Sequence, residues 1–345
     1  MMRFRQAVAL AFVASGAFAQ DFGEQITVSR VLVDVRVTKI DGEPITDLTS
    51  ADFTVTLGGK PAIVESAAWI DDAHRTDADI DEQAAPAQDS VDARSTTSRG
   101  RTIVVFVQTD FQREPVRVGG QMKFQYWADQ LIAMFEPDDR IAVFSFDSHL
   151  KFRSDLTTNK EDAAQAIRAS LAIDTPPPPP VVPEPSLARH LDAHAMLRAP
   201  SSEVALRIVG DALKSIEGPK TMLLVGWGLG ERVGRMVYMR PEWKTARRSL
   251  DDARVTIISL DTTMAAHDLA AGLGSAAAET GGFYMNTNTF PQQVIDRVQR
   301  TISGRYELEL RTATPLQAGT YELVVRVKQR GARVLAPQSV TIHEQ

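Results

Sequence analysis

Three carboxylates stand where apolar runs stop. Asp110 follows residues 103–107, Asp147 follows 141–146 and Asp261 follows 255–260. The first run, Ile103-Val104-Val105-Phe106-Val107, has no polar face and breaks off at Gln108, Thr109 and Asp110. A strand apolar on both faces belongs in a parallel sheet covered by helices. In such open sheets ligands bind at the carboxyl ends of the strands. Carboxylates there can do acid–base work, and they can equally cap helices and tie loops.

Other chemistry-bearing patterns are sparse. His190 and His194 are one helical turn apart, which suits a transition metal, but no third ligand accompanies them and a solvated helix face is the plainer reading. His74, His149, His267 and His343 are scattered. The chain has no Gly-x-Ser-x-Gly elbow and no phosphate-binding Gly-Lys-Ser/Thr loop. Gly226-Trp227-Gly228-Leu229-Gly230 is glycine-rich but lacks dinucleotide spacing. The absence of cysteine excludes disulfides, a thiol nucleophile, thiolate metal sites and a lipoprotein anchor. A net charge of -6 argues against a general nucleic-acid binder.

The elements that must position these residues follow from periodicity. From Arg101 to about Gly304, strand and helix patterns alternate. Phe124, Trp127, Ala128, Leu131, Met134 and Phe135 mark one helix face. Residues 141–146 form a strand, 149–152 a short edge strand, and Thr158 to Glu161 a capping box that opens the next helix. A proline-rich insert at 175–185 favours a stiff extended spacer. Helices are expected at 187–198, 202–217, 241–253, 269–280 and 290–303, with strands at 222–225, 255–260 and 283–285. Alternating apolar residues at 24–70 and 305–345 predict β segments that flank this α/β unit and pack together, since each alone is marginal. Residues 71–100 read as a flexible acidic linker, too poor in large apolar residues to offset their ordering entropy.

The start of the chain carries a targeting pattern. Arg3 and Arg5 precede the apolar stretch 7–13, and Ala17-Phe18-Ala19 is a small-x-small cleavage site. Residues 1–19 are expected to be a secretory signal peptide, cleaved before Gln20, and no later apolar run is long enough to span a bilayer.

The order of these elements, with the stretches VDVRVTKIDGEPITDLTSADFTVTLGGKPAIV, RTIVVFVQTD, FEPDDRIAVFSFDS, DLTTNKEDAAQAI and AAAETGGFYMNTNTF followed by ISGRYELEL, resembles a von Willebrand factor type A (vWA) domain. More closely it resembles the exported bacterial proteins called VWFA-related. The resemblance covers most of the chain after the signal peptide. It implies an α/β fold with a doubly wound, mostly parallel sheet (101–304), flanked by terminal strands forming a small β-sandwich.

It also implies a rim that often holds Mg²⁺ or Mn²⁺ through an Asp-x-Ser-x-Ser loop, a Thr and a further Asp. This chain departs from that pattern. One register puts Gln108, Asp110 and Gln112 on the loop positions, and a shift by two puts Asp110, Gln112 and Glu114 there. Thr157 matches the Thr position. The last Asp position falls on Trp227, beside Gly226, and an indole cannot ligate a hard cation. Trp227 is then either a packing residue or a contact residue. The expectation is an exported, non-catalytic binding or scaffold module with no cofactor and a degenerate metal site. Its unknown protein partner, in the envelope or outside the cell, would meet the rim of Gln108, Asp110, Gln112, Thr157, Gly226 and Trp227. The alternative is an exported hydrolase using the rim carboxylates.

Overall fold

The computed structural model describes residues 30–72, 100–109, 114–177, 179–181, 183, 185–313 and 316–343. The signal peptide, residues 73–99 of the acidic linker, and Asp110 and Gln112 lie outside the described residues.

The middle of the chain is a doubly wound α/β unit. Its parallel strands are β4 (Thr102–Gln108), β5 (Arg140–Phe146), β7 (Lys220–Gly226), β10 (Val255–Asp261) and β11 (Tyr284–Asn286). β6 (Leu150–Thr157) pairs antiparallel with β5 at one edge, giving the order β11-β10-β7-β4-β5-β6. Side chains along β4 alternate between two cores. Val104 and Phe106 pack on the face that α4 (Ser202–Leu213), α5 (Trp243–Asp252) and α6 (Ala270–Glu279) cover. Ile103, Val105 and Val107 pack under α1 (Pro115–Ala133), α2 (Lys160–Ala169) and α7 (Pro291–Thr301). Burying each such side chain stabilises the fold by about 1.5–3 kcal/mol.

The terminal strands were expected to form a small sandwich. Instead, one continuous seven-stranded sheet combines β1 (Arg30–Thr38), β2 (Phe53–Leu57) and β3 (Lys60–Asp71) with β12 (Gly304–Arg311), β13 (Gly319–Val327), β14 (Arg333–Leu335) and β15 (Ser339–Ile342). The cause is β3. Its first residues pair with β2 and the rest pair with β12, carrying the ladder from one half to the other. The sheet curls over its own core, with Tyr306 fully buried and edge-on to both Phe53 and Trp69. The Tyr306 hydroxyl oxygen accepts the Leu48 N–H at 2.8 Å, so the buried phenol is not left unsatisfied.

The two sheets meet at the amino end of the parallel strands. Arg254, just before β10, sits at φ 53°, an uncommon conformation for a non-glycine residue. Its guanidinium bridges Asp34 (2.9 and 2.8 Å) and Glu307 (3.0 Å) across the seam. Asp34 also accepts from Arg305 Nε at 2.9 Å.

One expected helix is shortened. In place of 187–198, only α3 (Ala193–Leu197) is helical. Buried Asp155 accepts the Ser186 hydroxyl (2.6 Å) and the Leu187 N–H (2.8 Å), holding this part of the chain in a turn. His190 therefore precedes the helix that carries His194, and the two do not share a helical turn.

Candidate functional site at the carboxyl rim

The end of β4 sets the rim's centre. Gln108 is buried, 4% exposed. Its Nε2 donates to Ser202 Oγ (2.9 Å) and to the Gly228 carbonyl (2.8 Å). Its Oε1 accepts the N–H groups of Trp227 (3.0 Å) and Gly228 (3.1 Å). Both amide hydrogens and both acceptor sites are used. Gln108 was expected among the partner-binding residues, and the structure makes it an internal tie between β4, the loop after β7 and the start of α4. Gly226 is buried behind it, and a side chain there would strike the Gln108 amide. Gly226 therefore shapes the rim from inside and does not face a partner.

Thr157 does not join this rim. β6 runs antiparallel, so Thr157 pairs with Ile141 at the amino end of β5, whereas Phe146 at the carboxyl end pairs with Leu150. The separation is five strand residues, about 17 Å at the usual rise. Thr157 instead accepts the Asn159 N–H at 3.0 Å on entry to α2. The hydroxyl that does meet Gln108 belongs to Ser202. Its neighbour Ser201 caps α4, with its side chain accepting the Val204 N–H. Nothing in the spacing of residues 94 apart could have paired Gln108 with Ser202.

Trp227 is half-buried at the rim. Arg117, in the first turn of α1, lies over its ring with the guanidinium carbon 3.8 Å from the centroid. The indole Nε1 is buried, and among the described residues it has no acceptor. Beside the ring opens a cavity of about 460 Å³, bordered by Arg117, Asp147, Trp227, Arg232 and Arg240 among others. Its outer wall is a hairpin of β8 (Glu231–Val233) and β9 (Met236–Tyr238) that sequence reading missed. The signal was the two-residue connection Gly234-Arg235, with Gly234 at φ 64°, suited to a tight hairpin turn. Gly230 fixes the hairpin's base: its N–H donates to the buried Glu203 carboxylate at 2.7 Å. Val233, Met236 and Tyr238 point to solvent, each more than half exposed.

The described rim carboxylates are all engaged. Asp261, 1% exposed, accepts the Thr263 N–H (2.8 Å), the Tyr284 hydroxyl (2.7 Å) and lies 3.0 Å from His267 Nε2. Burial pushes its carboxyl up, but the hydrogen bonds from His267, Thr263 and Tyr284 bring it below the ordinary value. His267 was read as carrying no signal, and the structure places it on Asp261. Asp147 is held low in the same way, burial being outweighed by Lys151 and Ser148.

Among the described residues the oxygens at this end of the sheet are already engaged: Gln108 Oε1 accepts two N–H groups and Ser202 Oγ accepts from the Gln108 amide, while Trp227 offers no oxygen. Among the described residues no cluster of three or more His, Cys, Asp or Glu could hold a metal.

No family model and no curated protein matches the sequence. Several solved structures align with the chain. BatB from Bacteroides thetaiotaomicron does so at 10% identity over 59% of this chain and 98% of its own, with a TM-score of 0.38. The vWF domain of the type V pili tip protein Mfa5 from Porphyromonas gingivalis aligns at 12% identity over 59% of this chain and 95% of its own, with a TM-score of 0.35. The human COPII-coat protein Sec24c aligns at 9% identity over 71% of this chain, which spans 44% of Sec24c, with a TM-score of 0.38.

Proposed function

We propose that this chain is an exported, non-catalytic vWA-like binding or scaffold module that docks a protein partner at its carboxyl rim without a metal ion. The observation that carries this reading is the Trp227 ring, backed by Arg117 and facing a cavity of about 460 Å³ with an unspent indole N–H. A buried donor with no acceptor costs about 1–3 kcal/mol, and a partner carbonyl or carboxylate reached by a small shift of the ring would recover it. Tryptophan over a guanidinium offers a large rigid contact area, the type of residue that dominates binding hot spots. The exposed Val233, Met236 and Tyr238 extend the apolar area along the hairpin.

The binding reading is favoured over the hydrolase alternative by how the described rim carboxylates are used. Asp261 and Asp147 direct their oxygens inward to His267, Tyr284, Lys151 and Ser148. Among the described residues, no hydroxyl nucleophile hydrogen-bonds to His267. Export is supported by the signal-like N-terminus, and among the described residues no helix is long and apolar enough to cross a membrane.

The test is capture from an envelope fraction by the mature chain, comparing wild type with Trp227→Ala after both are shown to be folded. A partner retained by wild type and lost by the variant supports the reading. Equal capture by both contradicts it, as does hydrolase activity in a class-wide substrate screen.

A further inference from the structure

The proline-rich segment 175–185 is held at both ends by one strand. At its start, Arg153 of β6 donates from Nη1 and Nη2 to the two Asp174 carboxylate oxygens (3.0 and 2.6 Å), and Nη2 also donates to the Ala172 carbonyl at 3.0 Å. At its end, Asp155 of the same strand accepts the Ser186 hydroxyl and the Leu187 N–H, and both of these residues are fully buried. The chain changes sides between the anchors. Ile167 of α2 and Leu171 pack in the core on one face of the six-stranded sheet, and Leu187 packs in the core on the other. The segment therefore passes around β6, the edge strand. A spacer, the role expected from the sequence, would separate two units; this segment begins and ends on the same strand.

Its conformation follows from covalent chemistry. Proline fixes φ at about −65°, and a residue that precedes proline is pushed out of the helical region. Thr175, Pro176, Pro177 and Pro179 each precede a proline. The run 176–180 therefore favours polyproline II, with about three residues per turn and no internal hydrogen bonds. Exposure follows that period. Pro176, Pro179 and Pro185 are half-buried. Pro177, Pro180 and Pro183, each one position after that ridge's register, are exposed, and so is Val181. One ridge rests on the protein and a ridge of prolines faces solvent.

We propose that Pro177, Pro180, Val181 and Pro183 form a second docking surface, separate from the carboxyl rim, that fits a protein domain with a groove lined by aromatic side chains. Such grooves take polyproline II segments because the helix is formed before it binds. Of residues 175–185 only Glu184 is charged, so the segment suits an apolar aromatic groove and not a charged one. The anchors on Arg153 and Asp155 keep its two ends in place in the free protein, which lowers the ordering cost of association.

The test uses the mature chain, immobilised, loaded with an envelope fraction and eluted with free oligoproline, a polyproline II helix that shares nothing else with this protein. The expected result is a retained protein that oligoproline releases and a glycine–serine peptide of equal length does not. Pro177→Ala combined with Pro180→Ala removes two prolines of the exposed ridge and leaves the anchors untouched. This double variant is expected to lose the oligoproline-released protein while its melting temperature stays within ~2 °C of wild type. Release of nothing by oligoproline overturns the proposal, as does undiminished capture by the double variant. If the double variant instead self-associates in sedimentation, the prolines guard the edge of β6 against a second copy, and the docking role is wrong.

Discussion

Arg117 and Trp227 lie face to face, 3.8 Å from guanidinium carbon to ring centroid, and so join the first turn of α1 to the loop after β7. Two elements from opposite sides of β4 are thereby locked together at the rim. Arg117→Ala is expected to lower stability by about 0.5–1 kcal/mol, the usual worth of a partly exposed cation–π contact. Denaturant unfolding measures it. A variant as stable as wild type shows that the stack does not hold the rim.

Gln108 is expected to be far more costly to lose. Its four hydrogen bonds are made inside the protein, and Gln108→Leu leaves the Trp227 and Gly228 N–H groups and the Gly228 carbonyl without that partner. The expected loss is about 2–4 kcal/mol. A loss below ~1 kcal/mol in chemical denaturation contradicts the assignment of Gln108 as an internal tie.

Much of this arrangement was legible in the sequence, and the failures have physical causes. The apolar run 103–107 announced a strand covered on both faces, and the cores on either side of β4 bear this out. The apolar run 222–225 announced the strand that ends just before Trp227, and β7 bears this out. Thr157 misled because an antiparallel edge strand ends at the opposite side of the sheet from its parallel neighbours, and direction is not written in an apolar pattern. Ser202, Arg117 and His267 were missed because their roles depend on tertiary neighbours. Ser202 meets Gln108 across 94 positions, and His267 meets Asp261 only after the chain turns beyond β10.

Two carboxylates at the seam give opposite pH dependences. Burial pushes Asp251 up to about 7, with Asp252 and Glu279 adding repulsion against the pull of Arg247 and Ser339. Its native pKa exceeds the unfolded value, so the native state binds the proton more tightly. Its stabilising contribution is full below about pH 4 and is lost as pH rises through about 7. Asp34 is the reverse: burial raises it, but Arg254 and Arg305 outweigh that and hold it low. Its contribution is present above the ordinary carboxylate range and disappears as acid protonates the native state. Asp251→Asn is therefore expected to flatten the stability profile between pH 5 and 8, with the gain over wild type largest at pH 8. A profile parallel to wild type across that window contradicts it.

Calorimetry with Mg²⁺ or Mn²⁺ is expected to show no specific site, and chelator is expected to leave the melting temperature unchanged. The reason is the donor set: the Gln108 oxygen is engaged by two N–H groups and Trp227 offers no oxygen. Micromolar binding of either ion contradicts this reading. An aspartate at position 227 alone is not expected to restore binding, since the first loop still lacks its serines.

Export with cleavage after Ala19 is expected to leave Gln20, or its cyclised form, as the N-terminus seen by mass spectrometry. An exported chain that retains Met1 contradicts the signal-peptide reading.

The most direct measurement of the rim's role is the affinity of the captured partner for wild type and Trp227→Ala, taken beside their melting curves. The expected result is a folded variant whose affinity falls by about 30-fold, corresponding to a hot-spot loss of about 2 kcal/mol. A folded variant that binds as tightly as wild type contradicts docking at the rim and turns attention to the antiparallel sheet. A variant that fails to fold assigns Trp227 to the core and contradicts the site.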